Sequence, residues 1–277
     1  MAYKLTGLVG SPVEQSWGKY LFNRIYRETG LDSFYIPMDI TPDLLHDFMK
    51  YASCDFLGYN VTYPLKEKII NYVDRLDKLA RETGSVNLVK NLDGIATGFN
   101  TDYAGFSYLI SRSGVELEGK SVCLAGTGGV FRSAFMYLSR EFSNISFTVL
   151  SSNAEAASEK LRLMDHYDDI VIVEKADIAN ASFDILINCT PLGMKNYTAA
   201  FPFPEPLMDR SSVGIDVVYN PPETPFLRYM KSRGKTTVNG VMMYLGQAME
   251  SFRIFFQREP DTGMFEGAIN DIMGGRD

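Results

Sequence analysis

Residues 121–133, SVCLAGTGGVFRS, contain the pattern that decides the fold. The mostly apolar run Ser121 to Ala125 predicts a buried strand, and a helix is expected to open directly after Gly126-Thr127-Gly128-Gly129. Glycines at such a turn let the backbone approach a pyrophosphate, whose charge the free N–H groups and the helix dipole bind. An ordinary glycine-rich turn has the same composition, but the strand–turn–helix context favours a dinucleotide site.

Two positions near this turn depart from the usual dinucleotide pattern. Phe131 stands where a small residue normally permits close packing of helix on strand, so a different local packing is expected. The next predicted strand ends at Ser151-Ser152-Asn153, which offers neither an acid for the ribose of NAD nor an arginine for the phosphate of NADP. These side chains could bind phosphate or cap the following helix, and the choice between the two cofactors stays open.

Strands and helices alternate along the rest of the chain, which predicts mainly parallel sheets covered on both faces. In the first third, a helix is expected over Thr41–Tyr51 with Thr41 as its N-cap, and another is expected to open at Pro64. Asn91-Leu92-Asp93-Gly94 between two strand-like runs predicts a hairpin. The fold class is therefore α/β, with two domains.

Composition excludes several classes of protein. The chain has 277 residues and a formal net charge of −7, with no basic stripe to neutralise the phosphates of a nucleic acid. Its three separated cysteines are expected to be buried in a reducing compartment, and its two histidines to lie on the surface. No metal-ligand spacing occurs, so no metal is assigned. We predict a soluble, cytoplasmic protein that does not bind a membrane.

Four polar clusters follow predicted strands, where parallel sheets place their ligands. These clusters are Gly10 to Gly18, Asn60 to Glu67, Gly84 to Asn87 and Phe99 to Asp102. Three further motifs join these clusters and the glycine turn: 188–194 (NCTPLGM), 216–221 (DVVYNP) and Gly240-x-x-Met243-x-x-x-Gln247. Taken together, they resemble the shikimate dehydrogenase family. The motifs follow the family's order over nearly the whole chain.

The resemblance implies a fold, an activity and a division of the chain. An N-terminal α/β substrate domain is expected beside a Rossmann-like, doubly wound dinucleotide-binding domain, with the C-terminal helices returning to the substrate domain. The predicted substrate-binding and catalytic domain comprises residues 1–102 and 241–277, and the dinucleotide-binding domain comprises 103–240. The implied enzyme is an oxidoreductase that interconverts shikimate and 3-dehydroshikimate with NADP(H), in aromatic amino-acid biosynthesis.

The catalytic residues implied by the resemblance are Lys66 and Asp102. Oxidation of an alcohol by hydride loss needs a group that takes the hydroxyl proton, and a partly desolvated lysine beside a carboxylate can do so. Taken singly, Lys66 could be a solvated helix residue and Asp102 a helix N-cap. The substrate-binding residues implied are Ser16, Gly18, Asn60, Thr62, Asn87, Tyr219 and Gln247. The cofactor-binding residues implied are Gly126, Thr127, Gly128, Gly129, Val130, Ser151, Ser152, Asn153, Thr190, Pro191, Gly193, Val217, Gly240 and Met243.

Two departures from the family pattern keep alternatives open. Gly18 replaces the second hydroxyl residue that grips the substrate carboxylate, which is expected to make room there, so quinate is an alternative substrate. The family's arginine after the second Rossmann strand is absent, so NAD is an alternative cofactor. A folate-linked dehydrogenase and a non-catalytic ligand sensor of the same fold are more remote alternatives. A homodimer is compatible with the sequence.

Overall fold

The computed structural model describes residues 4–162, 164–178, 180–195, 197 and 201–275. The chain forms two compact units. The first unit contains the residues up to Thr101 together with those from Gln247 onward, and the second unit contains Asp102–Gly246. Each unit has its own six-stranded sheet.

The first unit is built on a mixed sheet with the strand order β2-β1-β3-β5-β6-β4. Strands β2, β1 and β3 are parallel, β5 is antiparallel to both β3 and β6, and β4 is parallel to β6. Its strands are β1 (Lys4–Gly10), β2 (Ser33–Asp39), β3 (Phe56–Val61), β4 (Arg75–Leu76), β5 (Leu88–Leu92) and β6 (Ile95–Phe99).

Helices cover this sheet and complete the core of the first unit. They are α1 (Gly18–Glu28), α2 (Leu45–Asp55), α3 (Lys78–Thr83), the later part of α9 (Val241–Phe256) and α10 (Thr262–Met273). The apolar face of α1 buries Leu21, Phe22 and Ile25, as the helical spacing of these residues predicts. Arg24 on the same helix pairs with Asp271 of α10 at 2.7 Å, so α10 packs beside α1.

The predicted hairpin is present between β5 and β6. Asp93 and Gly94 form a two-residue loop, with φ angles of 51° and 77°. Two positive φ values are what a type I′ turn requires, and the Asp-Gly pair supplies them. The hairpin returns the chain to the edge of the sheet where β3 ends.

The second unit has an entirely parallel sheet with the order β12-β11-β10-β7-β8-β9. Because the strand order runs in opposite directions from β7, the sheet is doubly wound, and its topological switch point lies beside β7. Its strands are β7 (Ser121–Ala125), β8 (Ser146–Ser151), β9 (Ile170–Glu174), β10 (Ile185–Asn188), β11 (Val213–Asp216) and β12 (Thr236–Val238). The helices of this unit are α4 (Asp102–Ser113), α5 (Gly129–Glu141), α6 (Ala154–Leu161), α7 (Glu205–Arg210), α8 (Pro225–Ser232) and the start of α9.

Two helix starts differ from those expected. The helix predicted from Thr41 begins at Leu45, because residues 42–44 form a turn in which the Leu44 N–H donates to the Thr41 carbonyl at 3.1 Å. No helix opens at Pro64. Residues 63–67 form turns, and only a short 3₁₀ segment, Lys68–Tyr72, follows.

The expectation that every cysteine is buried was wrong for Cys54, which is exposed in the last turn of α2. Cys123 and Cys189 are buried, and burial raises the pKa of the Cys123 thiol to about 12. Both histidines, His46 and His166, are exposed as predicted. None of the helices in the described part of the chain has the length and apolar character needed to cross a bilayer.

Candidate active site

Polar side chains meet where β1 and β3 end in the first unit, and we call this end of the sheet its polar edge. Strands β1 and β3 are parallel, so their carboxyl ends lie side by side, and Thr62 follows the second of them. Strand β5 runs antiparallel to β3, with Leu88 opposite Asn60, which places Asn87 at the same edge. Phe99 of β6 lies opposite Leu88, so topology collects residues from all four polar clusters predicted from the sequence.

The amides at this edge are buried and held by other protein groups. Asn87 donates from Nδ2 to the Thr101 hydroxyl (2.9 Å), and its Oδ1 accepts from the Thr101 N–H (2.7 Å). Asn60 donates from Nδ2 to the Ser251 hydroxyl (2.9 Å), which in turn donates to the Gln247 carbonyl (2.7 Å). Because each amide is held in one orientation, the cluster offers fixed donors and acceptors.

Sequence reasoning missed Ser251. Its side chain is fully buried on α9, one helical turn after Gln247, and it orients the Asn60 amide. The only signal in the sequence is a serine on an otherwise apolar helix face, and such a residue commonly bonds back to its own helix, as Ser251 also does.

Gly18 does not open space in the first unit, contrary to expectation. A Cβ at this position would lie 2.8 Å from Cε1 of Tyr35 and 3.2 Å from both the Tyr35 and Ser16 hydroxyl oxygens. The Tyr35 ring stacks on Phe22 (centroids 4.5 Å apart), and its hydroxyl donates to Asn60 Oδ1 at 2.9 Å. The tyrosine therefore fills the volume that a serine side chain would take, and it brings a hydroxyl to the same place.

Lys66 lies on the turn that leaves β3. Its carbonyl accepts from the Val86 N–H at 2.8 Å, and the Leu65 N–H donates to the Thr62 carbonyl at 2.9 Å. The Leu65 side chain is fully buried beneath the turn, whereas Lys66 is half-buried. These anchors fix the backbone at Lys66 beside Val86, which precedes Asn87.

Asp102 is the first residue of α4 and is 5% exposed. It belongs to the second unit, whereas Lys66 belongs to the first. The pairing of these two side chains, inferred from the family pattern, therefore stays a prediction.

The glycine turn of the second unit has the geometry that a pyrophosphate needs. Gly126 has a φ of +99°, and its N–H donates to the Leu150 carbonyl at 3.1 Å. The space where a Cβ of Gly128 would stand is open, and as the N-cap of α5 this glycine has no side chain to cap the helix. The open space and the glycine N-cap fit the dinucleotide's phosphates. The neighbouring turn residues Thr127, Gly129 and Val130 are half-buried.

Phe131 is accommodated by packing inward. The side chain is fully buried and stacks on Phe135, with ring centroids 5.9 Å apart and an interplanar angle of 6°. Phe135 meets Phe147 of β8 edge to face at 5.0 Å. An aromatic layer thus separates α5 from the sheet where a small residue would allow closer contact, in line with the altered packing predicted.

At the end of β8, Asn153 caps the following helix, which is one of the two roles predicted for this loop. Its Oδ1 accepts from the Ala156 N–H (2.9 Å) and caps α6. The Ser151 hydroxyl donates to the Asn153 carbonyl at 3.0 Å, and Ser152 is exposed. Helix capping and closure of the loop therefore occupy the side chains of Asn153 and Ser151.

A buried carboxylate ties together the loops after β10 and β11. Asp216 accepts from Thr224 Oγ1 (2.7 Å), Asn188 Nδ2 (2.9 Å) and the Val218 N–H (3.0 Å). Burial raises its pKa to about 7, although these three hydrogen bonds favour the charged form. Asn188 also accepts from the Thr190 hydroxyl at 2.6 Å, so the network reaches a predicted cofactor residue.

Other predicted cofactor residues lie on these loops. Gly193 (φ +102°) packs closely on Thr224, and Pro191 is exposed. The Val217 N–H donates to the Asn188 carbonyl at 3.1 Å. Gly240 approaches the Val217 carbonyl so closely that any Cβ there would overlap it.

The predicted ligand contacts on α9 and nearby differ in exposure. The Met243 side chain is 5% exposed and packs in the apolar core of the second unit. Tyr219 stacks on Tyr244 with centroids 4.3 Å apart, and it is half-buried. Gln247 is also half-buried, and its carbonyl holds Ser251.

The chain is similar to known proteins over almost all of its length. The model of the shikimate dehydrogenase substrate binding domain matches residues 8–89. A shikimate dehydrogenase (NADP(+)) of Thermoplasma acidophilum is 37% identical over 268 residues, covering 97% of this chain and 96% of that protein. The chain belongs to the shikimate dehydrogenase family.

Solved structures support the same grouping. A chorismate mutase/shikimate 5-dehydrogenase fusion protein from Clostridium acetobutylicum is 27% identical, with a TM-score of 0.89 over 99% of each chain. The shikimate 5-dehydrogenase of Thermus thermophilus, solved with NADP(H) and shikimate, is 26% identical with a TM-score of 0.83, covering 96% of this chain and 98% of that one. The α/β fold with a Rossmann-like second unit, predicted from the sequence, is confirmed. The roles of individual residues in this shikimate dehydrogenase family member stay predictions.

Proposed function

We propose that this chain catalyses the reversible, NADP(H)-linked interconversion of shikimate and 3-dehydroshikimate, a step of aromatic amino-acid biosynthesis. The observation that carries the proposal is the cluster of neutral amides and hydroxyls around Asn60 and Asn87. Such groups both donate and accept, so they suit a ring with several hydroxyls. Relatives named for this activity also cover nearly the whole chain.

The two units divide the work in this proposal. The first unit binds the substrate, with the Ser16 and Tyr35 hydroxyls placed for its carboxylate and Thr62, Asn60 and Asn87 for its ring hydroxyls. The second unit binds the dinucleotide, with its pyrophosphate on the glycine turn. Residues that would hold the dinucleotide include Gly126, Gly128, Gly129, Thr190, Gly193 and Val217.

The chemistry needs one proton transfer from the protein. Bound NADP(H) supplies hydride acceptance and donation. In the oxidation direction, Lys66 takes the hydroxyl proton as the C–H bond breaks and the ketone forms. Asp102 orients the hydroxyl and Lys66. In the reduction direction, the same lysine returns the proton to the oxygen.

The first test compares initial rates of the purified protein with shikimate and quinate, each with NADP and NAD. We expect the highest kcat/KM for shikimate with NADP. Preference for quinate would contradict the substrate assignment, and equal or better turnover with NAD would contradict the cofactor assignment. Because Tyr35 fills the space beside Gly18, quinate gains no room from the missing side chain.

The second test replaces the proposed proton acceptor. Lys66→Ala should lower kcat by about 10²–10⁴-fold while the Kd for NADP+ stays unchanged. Lys68→Ala is the matched control, because this exposed lysine lies two residues away at the start of the 3₁₀ segment. Unchanged turnover in Lys66→Ala would remove Lys66 from the proton transfer, whereas no turnover by the unmodified protein with any of the four pairs would favour the ligand-sensor alternative.

The proposal also includes a cytoplasmic location and a homodimer. Light scattering tests the homodimer by measuring the molar mass of the protein in solution.

A further inference from the structure

A carboxylate stands at the amino end of α6, next to the loop that follows β8. Glu174 is the last residue of β9 and is paired in register with Ser151, the last residue of β8. Its Oε1 accepts from the backbone N–H of Ala154, the first residue of α6, at 2.9 Å. The parallel pairing of β8 with β9 thus delivers a negative charge to the β8–α6 loop.

This loop is where a Rossmann domain distinguishes its two dinucleotides. Residues after the second strand contact the adenosine ribose, whose 2′ position carries a hydroxyl in NAD and a phosphate in NADP. The amino end of the following helix attracts a phosphate through its free N–H groups and dipole.

In this chain, protein groups already use two of those N–H groups. Glu174 accepts from Ala154, and Asn153 accepts from Ala156. Glu155 adds a second carboxylate to the first turn of the helix. No lysine or arginine occurs at 151–153, and the ammonium of Lys175 donates to the Phe201 carbonyl at 3.2 Å.

We infer that Glu174 is a specificity-determining residue. Its carboxylate weakens binding of the 2′-phosphate of NADP(H) and so reduces the chain's preference for NADP(H) over NAD(H). Its charge repels the phosphate and its oxygen occupies a helix N–H that would bind one. The second carboxylate oxygen, Oε2, can accept a hydrogen bond from the 3′-hydroxyl of the adenosine ribose, which both dinucleotides share. The inference rests on the proposed function, since it assumes that the second unit binds these cofactors.

The test measures binding of NADP+ and of NAD+ separately by isothermal titration calorimetry, without substrate. Glu174→Gln keeps an oxygen for the Ala154 N–H and removes the charge. We expect it to tighten NADP+ binding about fivefold, a change of roughly 1 kcal/mol, while NAD+ binding changes less than about twofold. Glu174→Lys should raise the preference for NADP+ further.

Glu159→Gln is the matched control, because it removes the same charge from the exposed side of the same helix. Its Kd ratio for the two dinucleotides should equal that of the unmodified protein. An unchanged ratio in Glu174→Gln, with both dinucleotides bound, would overturn this inference and leave the proposed function standing. Failure of the unmodified protein to bind either dinucleotide would overturn both.

Discussion

Tyr35 and Gly18 lie against each other in the first unit, and the position of the Tyr35 ring requires a residue without a side chain at position 18. The ring of Tyr35 lies where a side chain at position 18 would stand, and Phe22 prevents it from moving aside. Its hydroxyl is also bonded to Asn60, so a change at Tyr35 is transmitted directly to the amide cluster.

Tyr35→Phe tests this arrangement. The variant leaves Asn60 Oδ1 without its donor inside the protein, so we expect a loss of about 1–3 kcal/mol in the free energy of unfolding. In our proposal the hydroxyl turns from Asn60 when shikimate binds and donates its single proton to the substrate carboxylate, so the KM for shikimate should rise about tenfold in the variant, consistent with loss of a charge-assisted hydrogen bond. Urea unfolding and steady-state kinetics measure the two effects.

Tyr26→Phe provides the matched control for that experiment. Tyr26 is also buried in the first unit, and its hydroxyl is bonded to Thr6 at 2.8 Å, away from the polar edge of the sheet. This variant should lose comparable stability and keep the KM for shikimate. Equal KM values for both variants would remove Tyr35 from the substrate site.

At the scale of single residues, the sequence was sufficient to predict which side chains lie at strand ends. It was not sufficient to predict which side chains fill the space between them. Gly18 and Tyr35 are 17 positions apart in the chain and meet because α1 packs on β2. Thr41 has the chemistry of an N-cap, yet a turn at 42–44 separates it from α2, which begins at Leu45. Local propensity cannot decide between such alternative local structures.

At the scale of elements, Asp216 connects β11 with the loop after β10 and with the amino end of α8. A charged carboxylate buried among these elements is disfavoured by desolvation, which is why its pKa lies at about 7 instead of its ordinary 3.8. The loops that follow β10 and β11 carry Thr190, Gly193 and Val217, and Thr190 bonds Asn188, so the network lies beside predicted cofactor residues.

The raised pKa of Asp216 predicts a pH dependence of stability. Between about pH 4 and pH 7 the folded chain keeps the proton that the unfolded chain has lost, so the contribution of this group to stability falls as pH rises through this window. Above the folded pKa it is constant. Asp216→Asn does not titrate, so the unfolding free energy of the unmodified protein minus that of the variant should decrease by about 3 kcal/mol between pH 5 and pH 8.

Denaturant unfolding of both proteins at several pH values measures this difference. Asp184→Asn is a suitable control, because its exposed carboxylate has a lowered pKa through hydrogen bonds from Ser121 and its stabilising effect is lost at acid pH, the opposite direction. Parallel pH profiles for the unmodified protein and Asp216→Asn would contradict the assigned pKa.

Elements with strong local signals were predictable from the sequence. The Asp-Gly hairpin and the strand–glycine–helix unit follow from backbone requirements that few residues satisfy. The turn at Pro64 was not predictable, because the Lys66 carbonyl bonds to Val86, 20 positions later in the chain. The Asp216 network likewise depends on residues from three separate segments.

At the scale of the whole molecule, the chain forms two units: the second contains every candidate cofactor residue, and the first contains the candidate substrate residues except Tyr219 and the catalytic candidate Asp102. If the proposed division of work is correct, each ligand alone should protect a different unit from hydrogen exchange. NADP+ should slow exchange at 126–132 and 188–193, and shikimate should slow it at 60–66 and 86–89. Mass spectrometry of peptides from the intact protein measures this, and protection of the same segments by both ligands would contradict the division.

The first unit is made from both ends of the described chain, which has a consequence for its biosynthesis. The α1 side chains Phe22 and Tyr26 are covered by Phe255 and Phe256, whose rings lie 6.5 Å and 5.1 Å away. At about 5–20 residues per second, a ribosome needs roughly 7–30 s to make the segment between Thr101 and Gln247. During that interval the apolar face of α1 lacks its cover, and the contiguous second unit is complete before Phe255 and Phe256 are made. The nascent chain therefore exposes an apolar surface that is buried in the folded unit, and such a surface is prone to aggregation.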